Sequence, residues 1–214
     1  MLVKGASFEL MGENSYLIVD EKTNRSALVD CNTYDDKMRE LIGDTDLEYV
    51  LLTHGHFDHI GGTRAVKENY GAKVVISKKD APMLNSAKLS LAVFCGAPQN
   101  NVAPDILISD GDEIELGDLK IKVISTPGHT EGSICLFLDS SLTERLDAKP
   151  VLIAGDTLFF GSIGRTDFSG GSMSAMRKSL KRLAVLPDDT VVLPGHGNLT
   201  TIGGERRRVF AFYA

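Results

Sequence analysis

The sequence predicts an α/β fold, a single domain over residues 1–214 in which two mixed β-sheets are sandwiched with helices. Three observations predict it. Apolar, strand-like runs are dense at both ends of the chain and helical spacing falls between them, which favours two packed sheets over one doubly wound sheet. A chain of 214 residues can bury a substantial core in one domain. No internal repeat or low-complexity linker divides it.

Taken in order, residues 7–30 read as a hairpin. Phe8 and Leu10 alternate with polar neighbours, and Tyr16-Leu17-Ile18-Val19 is a strand. Asp20 to Arg25 is a polar turn, and Ala27-Leu28-Val29 returns as a strand ending at Asp30. Asp35 to Ile42 is a short helix. Tyr49-Val50-Leu51-Leu52 and Lys73 to Ser77 are buried strands; the helix between them follows Gly61-Gly62 and stops at Gly71. Residues 78–99, with Pro82, Met83 and Pro98, spell either a helix or a flexible segment. Ile106 to Ile124 reads as strands with turns at Asp110-Gly111-Asp112 and Gly117-Asp118. Ser133 to Leu138 and Pro150 to Ala154 are strands separated by a polar loop, and a glycine-rich loop, Phe160 to Phe168, follows. Ser172 caps a helix whose Met173, Met176, Leu180 and Leu183 recur at core spacing. Thr190 to Leu193 is the last long strand. The Arg206-Arg207-Arg208 run reads as a solvated helix face.

The net charge of −6 gives no basic footprint, so nucleic acid is not an expected partner. No apolar run reaches transmembrane length and the N-terminus lacks a signal-peptide core, so no membrane partner is expected either. Three widely spaced cysteines, Cys31, Cys95 and Cys135, suit reduced thiols and a cytoplasmic protein.

The chemistry concentrates in Thr53-His54-Gly55-His56-Phe57-Asp58-His59, on a strand-to-helix loop. Three imidazoles and a carboxylate in six residues would be costly to bury without a cation, because each would need its own hydrogen-bond partners. A helical H-E-x-x-H site sets its histidines one turn apart. Here His54 and His56 are two apart while Asp58 and His59 are adjacent, a spacing that can serve two neighbouring points and so two metals. The chain has five histidines, and the other two, His129 and His196, each follow Pro-Gly after an apolar strand. Asp156 also ends an apolar strand. Strand-end loops are where sites form in layered α/β proteins. Imidazole and carboxylate without cysteine suit zinc, iron or manganese. Asp30 and Thr53 read either as loop caps or as partners that orient imidazole N–H groups. Arg165 reads either as a clamp for a substrate carboxylate or as an ion-pair partner of Asp167.

At these residues the chain resembles the metallo-β-lactamase superfamily, over about Asn14 to Gly204. The resemblance implies a four-layer αβ/βα sandwich with metals at one edge. It implies His54, His56 and His129 on one metal, Asp58, His59 and His196 on a second, and Asp156 bridging; zinc comes first, with iron or manganese as alternatives. Antibiotic-hydrolysing members of the better-known subclasses carry cysteine where this chain has Asp156. The run from Gly155 to Asp167 resembles the short glyoxalase II-like (hydroxyacylglutathione hydrolase-like) hydrolases, in which a basic residue at Arg165 helps hold glutathione. The implied activity is hydrolysis of a small thioester or ester, S-lactoylglutathione or a related acyl thioester, by a metal-bridging hydroxide, with Asp58 taking the proton. The implied alternatives are a mononuclear-iron persulfide dioxygenase using His56, His129 and Asp156, and a lactonase or other ester hydrolase.

Overall fold

A computed structural model describes residues 1–8, 12–139 and 149–214. The chain divides into two compact units, Met1–Ile108 with Glu115–Leu119, and Ser109–Ile114 with Lys120–Ala214.

In the first unit the elements run β1 (Leu2–Phe8), β2 (Glu13–Val19), β3 (Arg25–Val29), α1 (Asp36–Ile42), β4 (Asp46–Leu51), α2 (Phe57–Ile60), α3 (Thr63–Tyr70), β5 (Lys73–Ser77), α4 (Ala92–Cys95) and β6 (Ile106–Ile108). The six strands make one mixed sheet in chain order. β1, β2 and β3 are antiparallel neighbours, whereas β3 through β6 run parallel. Of the parallel strands, β3 and β5 are buried at every position but the first, as cover on both faces requires, while β6 at the edge exposes Ile106 and Leu107. Leu17, Leu28, Val50 and Ile76 pack with Met38 and Ile42 of α1 and Val66 of α3. Each such side chain contributes roughly 1.5–3 kcal/mol on burial. Asp35 caps α1, its carboxylate accepting from Met38 N at 2.9 Å.

Three details differ from the sequence reading. β1 is a full strand from Leu2, paired along its length with β2; Leu10 lies outside the described residues. The histidine motif is not all loop: α2 starts at Phe57, so Asp58 and His59 occupy a helical turn. Residues 78–99 hold a 3₁₀ turn at Ala81–Asn85 and then α4, with Leu91 left-handed at φ 68°.

The second unit holds β7 (Glu113–Leu116), β8 (Leu119–Ser125), β9 (Ile134–Leu138), β10 (Val151–Gly155), β11 (Leu158–Phe159), β12 (Ser162–Ile163), α5 (Met173–Leu183), β13 (Val191–Pro194), β14 (Thr200–Thr201), α6 (Ile202–Glu205) and α7 (Ala211–Tyr213). The tip of the β7–β8 hairpin, Glu115–Leu119, groups with the first unit. The sheet order is β14-β13-β10-β9-β8-β7, with β10 and β13 parallel and β9 antiparallel to β8 and β10. Leu152, Ala154 and Val192 pack with Met176, Leu180 and Leu183 of α5 and with Val209 and Phe210. Ser172 caps α5 as its sequence predicts. Met173 is 39% exposed rather than core, because the first helical position lies beyond the edge of the buried stripe. The Arg206-Arg207-Arg208 run is solvent-exposed, as the sequence predicts. It lies on a π-helical turn, Arg206–Phe210, where Arg206 pairs with Asp188 and Arg208 with Glu205. The polar loop after Leu138 lies largely outside the described residues.

Two mixed sheets with flanking helices are the fold class that the sequence predicts. Among the described residues no helix is long and apolar enough to cross a membrane. Cys31 and Cys135 are buried, Cys95 is exposed, and none is in a disulfide.

Candidate metal centre

In the first unit the site residues are brought together by strand register. β3 and β4 are parallel, with Val29 opposite Leu51, and Asp30 N donates to Leu51 O at 3.0 Å. Asp30 and Thr53 therefore leave the sheet side by side. Thr53 N donates to Asp30 Oδ1 and Thr53 Oγ1 to Asp30 Oδ2, both at 2.8 Å. The same Oδ2 lies 2.8 Å from His59 Nδ1. A carboxylate can only accept, so His59 carries its proton on Nδ1 and its lone pair on Nε2. His54 follows the same logic: Thr53 Oγ1 spends its proton on Asp30 and so accepts His54 Nδ1–H at 3.1 Å. His54 Nε2 then carries the lone pair that a metal takes.

The rings of His54 and His56 meet edge to face with centroids 4.8 Å apart, and those of His54 and His59 are 4.1 Å apart. Asp58 Oδ2 lies 4.0 Å from His59 Nε2. All four side chains are at least nine-tenths or so buried, from 0% exposure at His59 to 8% at Asp58. Burying three imidazoles and two carboxylates, Asp30 included, fits a cation site far better than a packed core.

In the second unit β10 and β13 end together, Gly155 opposite Pro194 past a bulge, and Gly195 N donates to Gly155 O at 2.9 Å. Asp156 and His196 are the next residues out. β8 and β9 pair antiparallel up to Ser125 and Ile134, and their loop carries His129. His129 Nδ1 donates to the Arg165 carbonyl at 2.7 Å, which leaves the lone pair on Nε2. That Nε2 lies 3.5 Å from Asp156 Oδ2, and His196 Nε2 lies 3.6 Å from the same oxygen. An imidazole lone pair facing a carboxylate oxygen is repulsive unless a cation or a proton sits between them. The donor chemistry therefore fits a divalent metal in both units, and all seven predicted side chains can offer a ligand atom.

Gly164 keeps this second half compact. A Cβ there would stand 1.8 Å from the carbonyl oxygen of Asp156. Arg165 forms a two-point ion pair with Asp167 at 2.9 and 2.8 Å while stacking over Phe168 at 4.2 Å. Both charged side chains are about two-thirds exposed, so the pair leaves Arg165 open to solvent. Two contributors escape the sequence reading. One is the Arg165 carbonyl, which no side-chain pattern can flag. The other is Glu13, fully buried at the start of β2, whose carboxylate groups with Asp30 and His59 within 4.8 Å. Its one sequence signal is a charged residue opening an apolar strand.

The family model described as the metallo-beta-lactamase superfamily matches residues 9–196. The hydroxyacylglutathione hydrolase GloC of Haemophilus influenzae is 32% identical over 200 residues, covering 91% of this chain and 90% of GloC. Among solved structures, BLEG-1 B3 metallo-beta-lactamase is 29% identical with a TM-score of 0.87, covering 98% of this chain and 99% of that one. ETHE1 from Myxococcus xanthus is 32% identical with a TM-score of 0.76, covering 97% and 83%. With two mixed sheets, strand-end histidines and aspartates, and a family match over most of its length, the chain belongs to the metallo-β-lactamase superfamily.

Proposed function

We propose that the protein is a binuclear metal-dependent thioester hydrolase of the hydroxyacylglutathione hydrolase type. The observation that carries the reading is the fixed tautomer of His54, His59 and His129. In each, an oxygen acceptor holds Nδ1–H and turns Nε2 outward as a ligand. In this reading His54, His56 and His129 would hold one cation, Asp58, His59 and His196 would hold a second, and Asp156 would add a carboxylate ligand. The likeness to GloC supports a thioester as substrate.

Bound metals supply an acidified water near neutral pH and a Lewis acid for the carbonyl oxygen. The protein's own part is positioning and proton handling. Asp30 locks the His59 ring, and through Thr53 it locks His54. Asp58, buried on the first turn of α2, takes the proton from the attacking water. Arg165 meets an anionic group on the thiol side by exchanging its solvent-exposed partner Asp167 for it. A thiolate leaves with little need of protonation, since thiols are acidic near pH 8.5, so no separate general acid is required.

The test is metal content per chain together with S-lactoylglutathione hydrolysis, before and after chelation and in Asp156→Ala. Two metals per chain and loss of turnover in both treatments are expected; full activity in the stripped protein overturns the reading. The likeness to ETHE1 favours one second reading, a mononuclear-iron persulfide dioxygenase. One iron per chain with oxygen uptake on glutathione persulfide would select it. Lactones and a chromogenic β-lactam complete the substrate panel.

A further inference from the structure

His54 and His56 are separated by a single glycine, so their relative placement is only as fixed as the backbone between them. Asp30 serves His54 and His59. The backbone around His56 is held by a different segment of the first unit. Gly55 N, just before His56, donates to Asp80 Oδ2 at 3.2 Å. Phe57 N, just after it, donates to Ser90 O at 2.9 Å. Phe57 opens α2, where the first amides have no acceptor inside the helix, and His56 at the N-cap position supplies no side-chain cap. Between these two bonds Met83 closes on the loop. A Cβ on Gly55 would stand 2.5 Å from Met83 Cβ, so the glycine is there for close approach.

Asp80 occupies an unusual post for this duty. It is the N-cap residue of the 3₁₀ turn Ala81–Asn85, where an aspartate ordinarily accepts from the amides of its own turn. It makes no such cap. Its carboxylate is buried, with 2% of the residue exposed, and reaches 25 positions back along the chain to Gly55. The segment that carries it is braced. Gln99 Nε2 donates to the carbonyls of Met83 and Leu84 at 3.3 and 2.8 Å, and Gln99 Oε1 accepts Ser90 Oγ–H at 2.6 Å. One side chain thus ties the Asp80 turn to Ser90. Leu91, whose peptide carries the Ser90 carbonyl, is left-handed at φ 68°, a conformation a leucine keeps only under constraint.

We propose that Asp80 is a positioning residue of the metal centre. Its carboxylate, with the Ser90 carbonyl and Met83, holds the His54-Gly55-His56 run in the shape in which both imidazoles can ligate. The inference rests on the metal-centre reading and is independent of the substrate.

Two substitutions separate this role from plain turn capping. Asp80→Ser keeps a residue that caps well, but its oxygen sits one bond nearer the backbone and no longer reaches Gly55. Asp80→Asn keeps an acceptor oxygen at the same reach. Cobalt titrated into the metal-free full chain, read by its d–d absorption and by competition with a chelator, reports ligand geometry and affinity without turnover. Asp80→Ser should bind cobalt about tenfold more weakly, with a shifted spectrum and a metal-free melting temperature close to native. Asp80→Asn should keep the native spectrum and most of the affinity. Native spectrum and affinity in Asp80→Ser overturn the proposal, and so does a loss in Asp80→Asn as large as that in Asp80→Ser. Should Asp80→Ser not fold, amide exchange in Asp80→Asn decides: a Gly55 amide as slow as native supports the clamp, and one that exchanges freely while cobalt binds normally overturns it. A native chain that takes up no cobalt removes the metal centre itself, and the proposal with it.

Discussion

Asp30 Oδ2 lies 2.8 Å from His59 Nδ1 and accepts the Thr53 hydroxyl at the same 2.8 Å, so one carboxylate oxygen orients two imidazoles. Removing it should act on metal affinity before anything else. Asp30→Asn can still accept one of these bonds, but its amide offers protons where His59 and Thr53 also donate. We expect the affinity for zinc to fall about 10- to 100-fold, as is usual when the partner of a ligating histidine is lost. A competition titration against a chromophoric chelator reads this directly. Unchanged affinity would mean that Asp30 only caps the loop.

Gly164 offers a different lever on the same centre. Because a methyl group would stand 1.8 Å from the Asp156 carbonyl, Gly164→Ala must displace backbone, not a flexible side chain. Overpacking of this kind costs about 1–3 kcal/mol. The expected result is a lower melting temperature and, since the displaced residue is Asp156, weaker metal retention through dialysis. A variant with native melting and native metal content would show that the loop can yield without moving the carboxylate.

How far the site could be read from the chain depends on sequence distance. The His54 to His59 run is legible because its donors are adjacent and their joint burial has one economical explanation. His129, Asp156 and His196 are legible because each ends an apolar run, and a strand end is a predictable address. From sequence Asp30 reads equally as cap and as orienting partner, since choosing needs the parallel register that sets Val29 beside Leu51. Glu13 and the Arg165 carbonyl were not legible. Their roles rest on contacts between residues far apart in the chain, Arg165 with His129 across 36 positions. In the tail the basic run marks an exposed face, as its composition signals, whereas the burial of the neighbouring Val209 and Phe210 and the pairing of Arg206 with Asp188 and of Arg208 with Glu205 depend on contacts that the fold makes.

The Lys67–Asp105 pair gives a pH prediction away from the metals. Asp105 Oδ2 accepts from Lys67 Nζ at 2.6 Å and from Val74 N at 2.8 Å, ties that hold its carboxyl below the ordinary value of 3.8. A folded-state value that is lowered stabilises the protein above the unfolded value, and the gain disappears as pH falls through the folded one. Asp105→Asn should therefore unfold at lower urea than the native chain near neutral pH, with the gap closing below about pH 3. Its side chain is 35% exposed, so solvent screening limits the effect to about 1 kcal/mol. A gap that widens in acid would contradict the assignment.

The three thiols differ enough to be counted by reactivity. Cys95 is exposed at the end of α4. Cys135 is buried in the second unit, where burial pushes its pKa up to about 11 despite the nearby Thr126 hydroxyl. Cys31 is fully buried in the first unit, and burial raises it well above the ordinary thiol value. Only a thiolate attacks an aromatic disulfide, so both buried thiols are protected twice, by protonation and by access. In native protein one equivalent of reagent should be consumed quickly, from Cys95, and Cys95→Ser should abolish that phase. The other two should react only as fast as their own units open, and all three at once in denaturant. Because Cys31 and Cys135 lie in different units, their slow rates in Cys95→Ser report the opening of each unit separately. Two rates that respond differently to added metal would show that the ligands stabilise the units unequally. A second fast thiol in the native protein would contradict the burial of one of them.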